Sequence, residues 1–312
     1  MRVSSNRPIT AVLVVCACLS TTIGWSQEAP YCGEEGAWIQ ILGAGGPELT
    51  DGNAGSSYLV WLDNHARLLV DIGPGSSTRF DEAGAVFEDL DAIALTHLHV
   101  DHSAGLPAFI KGSYFLNRDR PLTILGPDGN DEFPDTESFV RRMIGPNGAY
   151  PYLADFLTFK SSGGYKVRAR NVPSTGRRRW ARFGSQHFRL AAIPVHHSIV
   201  PAVAWRVEIS DKIIVFTGDF SNQKSVIGKF GKNADALVVS HAIPETARGT
   251  VRDLHVTPTQ IGQVAAQTNT RMLILGHRMN RTRGRESQSR EAIEAHYDGP
   301  VIFANDLECW GL

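Results

Sequence analysis

The densest chemistry in this 312-residue chain is the run Thr96-His97-Leu98-His99-Val100-Asp101-His102, which puts four potential metal ligands into six residues. It directly follows an apolar segment, residues 91–96, that reads as a strand. On a loop after that strand, His97 and His99 can point at one ion while Asp101 and His102 turn toward a second. Neutral imidazoles and carboxylates suit zinc, and also manganese or iron. A polar loop of surface histidines is the competing reading, and ligand types at this density disfavour it.

Two divalent ions need more donors than one loop supplies. Three further segments offer them, each just past an expected strand: Pro194-Val195-His196-His197-Ser198, Thr217-Gly218-Asp219 and Leu275-Gly276-His277. A side chain just past a strand end is well placed to reach a shared cleft, and an aspartate between two ions can bridge them. Ions about 3.5–4 Å apart would clamp a water and lower its pKa toward ~7, so that hydroxide would be the nucleophile. Taken singly, a strand-end histidine is more often a satisfied polar residue; beside the first cluster, these become a site. His196 and His197 are adjacent, and strand alternation sends them to opposite sides. The spacing of the Val200-Pro201-Ala202-Val203 segment downstream favours His197, with His196 as the fallback.

Such a site needs strands that end together. Turn-bounded apolar runs predict strands at 38–42, 57–62, 67–72, 91–96 and 122–125, and again at 165–172, 187–195, 202–209, 212–217, 235–240, 271–275 and 301–304. Helical spacing appears at 77–84, 137–144 and 291–296, and at 258–267 behind the candidate cap Thr257 with proline in the first turn. Residues 145–152 read as a loop. Both halves carry strands followed by helices, and no linker divides residues 27–312. Strands facing each other, with helices on the outsides, is the expected arrangement. Gly43-Ala44-Gly45-Gly46 lacks the third glycine and the βαβ context of a dinucleotide loop, and reads as a tight turn beside the cleft.

The run His97-Leu98-His99-Val100-Asp101-His102 resembles the signature of the metallo-β-lactamase superfamily. The order of histidine cluster, later histidine, Thr-Gly-Asp and final histidine matches across essentially all of residues 27–312. Leu42-Gly43-Ala44-Gly45-Gly46-Pro47, Val70-Asp71-Ile72-Gly73 and Leu254-His255-Val256-Thr257-Pro258 are similar to segments of its ribonuclease Z and arylsulfatase-like branch. The resemblance implies an α+β fold, a four-layered αβ/βα sandwich. It implies one ion on His97, His99 and His197, a second on Asp101, His102 and His277, and Asp219 bridging them. It also implies that Asp101 orients or deprotonates the attacking water, and that His255 stabilises charge or acts as general acid at the leaving group. One departure stands out: after His241, where ribonuclease Z enzymes carry a glutamate, this chain has Ala242. That weakens the case for transfer-RNA processing, as does the lack of a long substrate-clamping arm.

Composition bounds the rest. The chain is 42% hydrophobic with a formal net charge of −1, enough for one large core and no global argument for nucleic-acid or membrane binding. Residues 1–26 read as a cleaved signal peptide: Arg2 and Arg7, a short apolar run and small residues Gly24 and Ser26. A periplasmic or secreted protein follows, with lipid attachment at Cys18 as a variant and no stable transmembrane span. Cys32 and Cys309 would then be free to form a disulfide. His65, His187 and His296 lack ligand-like context. Two basic runs invite an anion: Arg177-Arg178-Arg179-Trp180-Ala181-Arg182, whose plainer reading is a solvated hairpin tip, and Arg278, Arg281, Arg283 and Arg285 after His277; Lys111 is a weaker case. The expected function is a metal-dependent hydrolase of a phosphodiester or sulfate ester, acting on a small anionic substrate rather than nucleic acid. A lactam, lactone or thioester hydrolase is the alternative, and a non-catalytic metal-binding protein a second one. The oligomeric state is open, a homo-oligomer included.

Overall fold

The computed structural model describes residues 34–158 and 164–312. The expected signal peptide and Cys32 lie outside the described residues. Strands β1 (Ala37–Gly43), β2 (Ser57–Leu62), β3 (His65–Val70), β4 (Ala92–Ala94), β5 (Leu122–Pro127) and β6 (Val167–Val172) form the first sheet, in that order. Strands β7 (Trp180–Gly184), β8 (Phe188–Pro194), β9 (Val203–Ile209), β10 (Lys212–Phe216), β11 (Ala236–Ser240), β12 (Met272–Gly276) and β13 (Val301–Phe303) form the second. The last strand, β14 (Cys309–Gly311), returns to the first sheet as the outer neighbour of β1. Each sheet begins as an antiparallel meander and continues in parallel: β3 through β6 in one, β10 through β13 in the other.

The alternation of apolar side chains explains the layers. In β1, Ile39 and Ile41 face the interior between the sheets, while Trp38 and Leu42 face the helices outside. In β9, Val203, Trp205, Val207 and Ile209 fill that same interior. A strand buried on both faces is largely apolar on both, whereas β9 alternates, with the less buried Arg206 and Glu208 on its other face. Outside the first sheet lie α1 (Ser76–Glu82), α2 (Val100–Ser103), α3 (Leu106–Ser113) and α4 (Thr136–Ile144). The second half carries α5 (Ile227–Phe230), α6 (Val251–Leu254), α7 (Pro258–Thr268) and α8 (Glu286–Glu294). The fold is the four-layered αβ/βα sandwich of α+β class. Helix α7 starts as expected, with Thr257 and Gln260 forming a reciprocal capping box.

The structure corrects several local expectations. Residues 100–103 are a helical turn rather than plain loop, and the turn buries Asp101 and His102. Helix α3 was missed because Gly105, Pro107 and Gly112 obscure its periodicity. The expected helix 291–296 instead runs Glu286–Glu294, since its buried face rests on only Ser289 and Ile293 and gives little pattern. The loop expected at 145–152 passes into a 3-10 helix, Pro151–Phe156. The presumed hairpin tip contributes the edge strand β7, and β13 does not close the chain. Strands expected to reach 96 and 217 stop at Ala94 and Phe216, because the following residues leave the ladder to build the site.

Two links tie the sheets together just beneath that site. Val203 N donates to Thr96 O at 2.9 Å, and Trp205 Nε1 donates to Leu95 O at 3.0 Å. Trp205 has no exposed surface. Cys309 is buried and disulfide-bonded; the other three cysteines, and with them the expected pairing to Cys32, lie outside the described residues. Among the described residues, no helix is long and apolar enough to cross a membrane. Replacing Trp205 by alanine should lower the unfolding free energy by about 3–5 kcal/mol. Urea denaturation at fixed metal concentration measures this, and a loss below ~1 kcal/mol would contradict close packing between the sheets.

Candidate metal centre

The carboxyl ends of β3, β4, β10 and β12 all reach one edge of the sandwich, and β8 arrives there through Val195. Open sheets with parallel strands present ligands at such ends. Here the chain delivers Asp71, His97, His197, Asp219 and His277, and the α2 turn adds Asp101 and His102. The donor atoms of His97, His99, His197 and Asp219 lie within 4.8 Å of one another, as do those of Asp101, His102 and His277. Asp219 joins the two groups: its Oδ2 stands 3.9 Å from both His97 Nε2 and His197 Nε2, 3.7 Å from His102 Nε2 and 3.3 Å from His277 Nε2.

The outward nitrogens of three rings are tied down. His197 Nδ1 lies 2.9 Å from the Leu254 carbonyl, so it must carry the proton and donate. His102 Nδ1 lies 2.8 Å from the Asp71 carboxylate, and His97 Nδ1 lies 3.1 Å from Thr96 Oγ1. Thr96 Oγ1 spends its own proton on Asp71, at 2.8 Å, leaving a lone pair for His97. Each ring therefore turns Nε2 inward, the usual orientation of a metal-binding histidine; burial would lower His102, but Asp71 and Asp219 hold it well above its ordinary value.

Those nitrogens meet other ring nitrogens. His97 Nε2 is 3.1 Å and His197 Nε2 3.3 Å from His99 Nδ1, and buried His102 Nε2 has no hydrogen-bond partner. Four ligands ~2.1 Å from a tetrahedral ion stand about 3.4 Å apart, close to the 3.1–3.9 Å seen between the donors of the first group. A proton on His99 Nδ1 can serve only one of its two neighbours, so acceptors are left facing one another; this calls for a cation, and the residues fit a metal. Burial pushes His97 well below its ordinary value and His197 down to about 4, keeping both rings in the neutral form that ligates. Burial would raise Asp219, but His277, His255 and His102 hold it well below the usual carboxylate range.

The supporting residues are as constrained as the donors. Asp71 is fully buried, accepts from Thr96 N at 2.7 Å as well as from Thr96 Oγ1 and His102, and sits at φ +57°. A non-glycine residue in that region is strained and persists only where its surroundings enforce it. Gly218, also at positive φ, leaves no room for a Cβ, which would approach Thr96 Cβ to 2.6 Å. At Gly46 a Cβ would stand 2.9 Å from His277 Cε1, so the glycine turn does lie against the cluster. Ser240 Oγ donates to Asp219 Oδ1 at 2.5 Å. Of these supports, sequence reasoning had noted Asp71 only as part of a motif. Its position just past an apolar strand was the same signal that marked the ligands.

The remaining expectations sort by geometry. His196 turns away, its Nδ1 2.7 Å from Ser221 Oγ, and His197 joins the cluster. His255 joins too, with Nδ1 3.8 Å from Asp219 Oδ2 and no hydrogen-bond partner. His241 is buried against Ser289 Oγ, at 2.9 Å. His65 and His187 pair with Asp89 and Asp91. Of the arginines after His277, Arg278 is buried against Glu286 and Arg283 holds Asp51 O. Arg281 faces the site closely enough for its charge to lower His255. Lys111 lies over the rings of Tyr114 and Phe115 on α3 instead. Large apolar side chains are exposed next to the donor segments: Leu49, Val100 and Ile199.

Residues 66–278 match the family described as Beta-lactamase superfamily domain. Over 294 residues the chain is 25% identical to ribonuclease Z of Thermobifida fusca, covering 86% of this chain and 92% of that protein. The short form of human tRNase Z aligns with a TM-score of 0.69 at 19% identity, over 87% of this chain and 98% of its own. The metallo-β-lactamase fold protein YhfI of Bacillus subtilis aligns with a TM-score of 0.67 at 21% identity, over 88% and 98%. Asp71→Ala should weaken metal binding about 10–100-fold, because His102 loses the acceptor that orients it. Elemental analysis after dialysis against a weak chelator reads the effect; retention of the wild-type metal content would deny Asp71 this role.

Proposed function

This chain belongs to the β-lactamase superfamily, and on that premise we propose that it is a hydrolase with two divalent ions, most suitably zinc, that cleaves a phosphodiester. The observation that carries the reading is Asp219 Oδ2, placed between two groups of histidine and carboxylate donors. His97, His99 and His197 would hold one ion, Asp101, His102 and His277 the other, and Asp219 would bridge. Ions so held supply an activated water and neutralise charge on the non-bridging oxygens of the ester.

The chain's own side chains do the rest. Asp101 keeps Oδ2 3.1 Å from His277 Nε2. Burial would raise it, but His277 and His102 hold it below its ordinary value, so it remains a carboxylate able to orient water and accept its proton. His255 is pushed down to about 3 by burial, so its ring is neutral near pH 7. A neutral ring serves as a hydrogen-bond donor to charge developing on the leaving oxygen, rather than as a protonated acid waiting in the free enzyme. Arg281 adds positive charge for an anionic ester. The relatives named as ribonuclease Z favour phosphorus over sulfur or a carbonyl as the centre attacked, and they bring nucleic acid back within the substrate class that the sequence alone disfavoured.

The protein should bind about two ions per chain and turn over bis(p-nitrophenyl) phosphate, with a chelator abolishing the activity. Turnover of p-nitrophenyl sulfate or nitrocefin alone would replace the phosphodiester reading, and turnover of none would return the chain to a metal-binding role. His255→Ala should lower kcat about 10²–10³-fold while leaving metal content unchanged. An unaffected kcat would remove His255 from the chemistry. We also propose export, supported by the signal-like pattern of residues 1–26 and by the disulfide-bonded Cys309. N-terminal sequencing of the protein from its native compartment should read from near Gln27; a start at Met1 would contradict export with cleavage.

A further inference from the structure

We propose that the outer face of the β7–β8–β9 meander is a second, non-catalytic anion site that holds the backbone of a phosphodiester strand whose scissile ester lies at the metal centre. The proposal rests on the phosphodiesterase reading above. A cavity of about 470 Å³ on this face is lined by Arg177, Arg179, Arg206, Lys229 and Lys232, with Phe230 among its apolar residues. A neighbouring cavity of about 460 Å³ shares Arg179 and adds Arg182 and Arg189. Glu208 is the one carboxylate lining either of them. In a chain of net charge −1, such a local excess of cations does not follow from composition.

The cations are held in place. Glu208 accepts from Arg206 Nε at 2.9 Å and lies 3.5 Å from Arg179 NH2. Arg206 also donates NH1 to Phe230 O at 3.2 Å and to Lys232 O at 3.3 Å. The Arg179 guanidinium lies over the Phe230 ring, 6.0 Å from its centre. Preformed guanidinium groups suit phosphate oxygens. Trp180 and Phe183 of β7 pack onto the core between the sheets, with Phe183 also lining the second cavity. Seven cations against two aromatic rings, Phe183 and Phe230, line the two cavities, so the face reads charge before bases.

A groove of about 540 Å³ is lined by His196, Ser198 and Ile199, chain neighbours of His197, and by Gly176 and Lys224, with Asp131 and Glu132 also on its wall. The next residues in the chain, Arg177 and Ser225, line the arginine cavity. Two cavities of cations that share Arg179 match a ligand with repeated phosphates, not a single one.

The test is fluorescence anisotropy with the metal-loaded protein and a labelled twelve-nucleotide oligothymidylate whose phosphorothioate linkages resist cleavage. The double variant R177E/R179E should bind it at least 10-fold more weakly, and the slope of log affinity against log salt should fall by about 1–2. The double variant R168E/R170E, on β6 of the other sheet, should change affinity less than 2-fold; thermal melts establish that both variants fold. Equal losses in the two variants, or none in either, would overturn the site. Affinity that fails to rise from two to twelve nucleotides, or that inorganic tripolyphosphate equals, would overturn the strand as its ligand. Wild-type turnover of bis(p-nitrophenyl) phosphate reports separately on the metal centre. Turnover with unaltered strand binding in R177E/R179E sinks this site alone, whereas selective loss of binding without turnover sinks the phosphodiesterase reading and leaves the surface standing.

Discussion

The structure is organised around an electrostatic conflict that a cation resolves. Inward-facing imidazole nitrogens and the Asp219 carboxylate converge at 3.1–3.9 Å, in a region almost closed to water. Without positive charge this arrangement is repulsive, and the burial that lowers His97 and His197 denies them the proton that would relieve it. Stability and function are therefore coupled at one point, since whatever binds there stabilises the folded state.

Holding that point requires both sheets at once. His97, His99, Asp101 and His102 belong to the first sheet's connections; His197, Asp219 and His277 belong to the second's. The inter-sheet bonds from Val203 N to Thr96 O and from Trp205 Nε1 to Leu95 O act directly beneath the cluster. On its other flank, Arg278 N donates to Ala44 O at 2.7 Å, fixing the glycine turn against the loop that carries His277. Two of the non-glycine residues at positive φ lie in the same place: Asp71 and His277, at +57° and +46°. Such conformations survive where the surroundings over-determine them, and dense hydrogen bonding around Asp71 does so.

The charged surface follows a different logic. Around the cluster, charges are few and buried. Along β7 they are many, exposed and of one sign, with Glu208 arranging rather than neutralising them. A site for chemistry needs exact position and low dielectric; a surface for holding a long anion needs repeated charge and tolerance of register. Both are present here on one sandwich.

Much of this was legible in the sequence for a local reason. Strand runs buried on both faces are apolar throughout, and a ligand just past such a run announces itself. His97, His99, Asp101, His102, Asp219 and His277 were found that way, and a layered arrangement followed from the order of elements, while the α+β sandwich came from the family resemblance. Other features depend on contacts between distant segments. Whether His196 or His197 turns inward is settled by the Leu254 carbonyl, 57 residues further on. The role of Asp71 is visible only once His102 and Thr96 pack against it, and β14 exists because β1 offers it an edge. The arginine cavity needs the segment before β7, strands β8 and β9 and helix α5 side by side, whereas its sequence signal was a single basic run. Residue type and local period determined which groups could do chemistry; only the tertiary structure, by bringing separate strand ends within ångströms, decided which of them face one another.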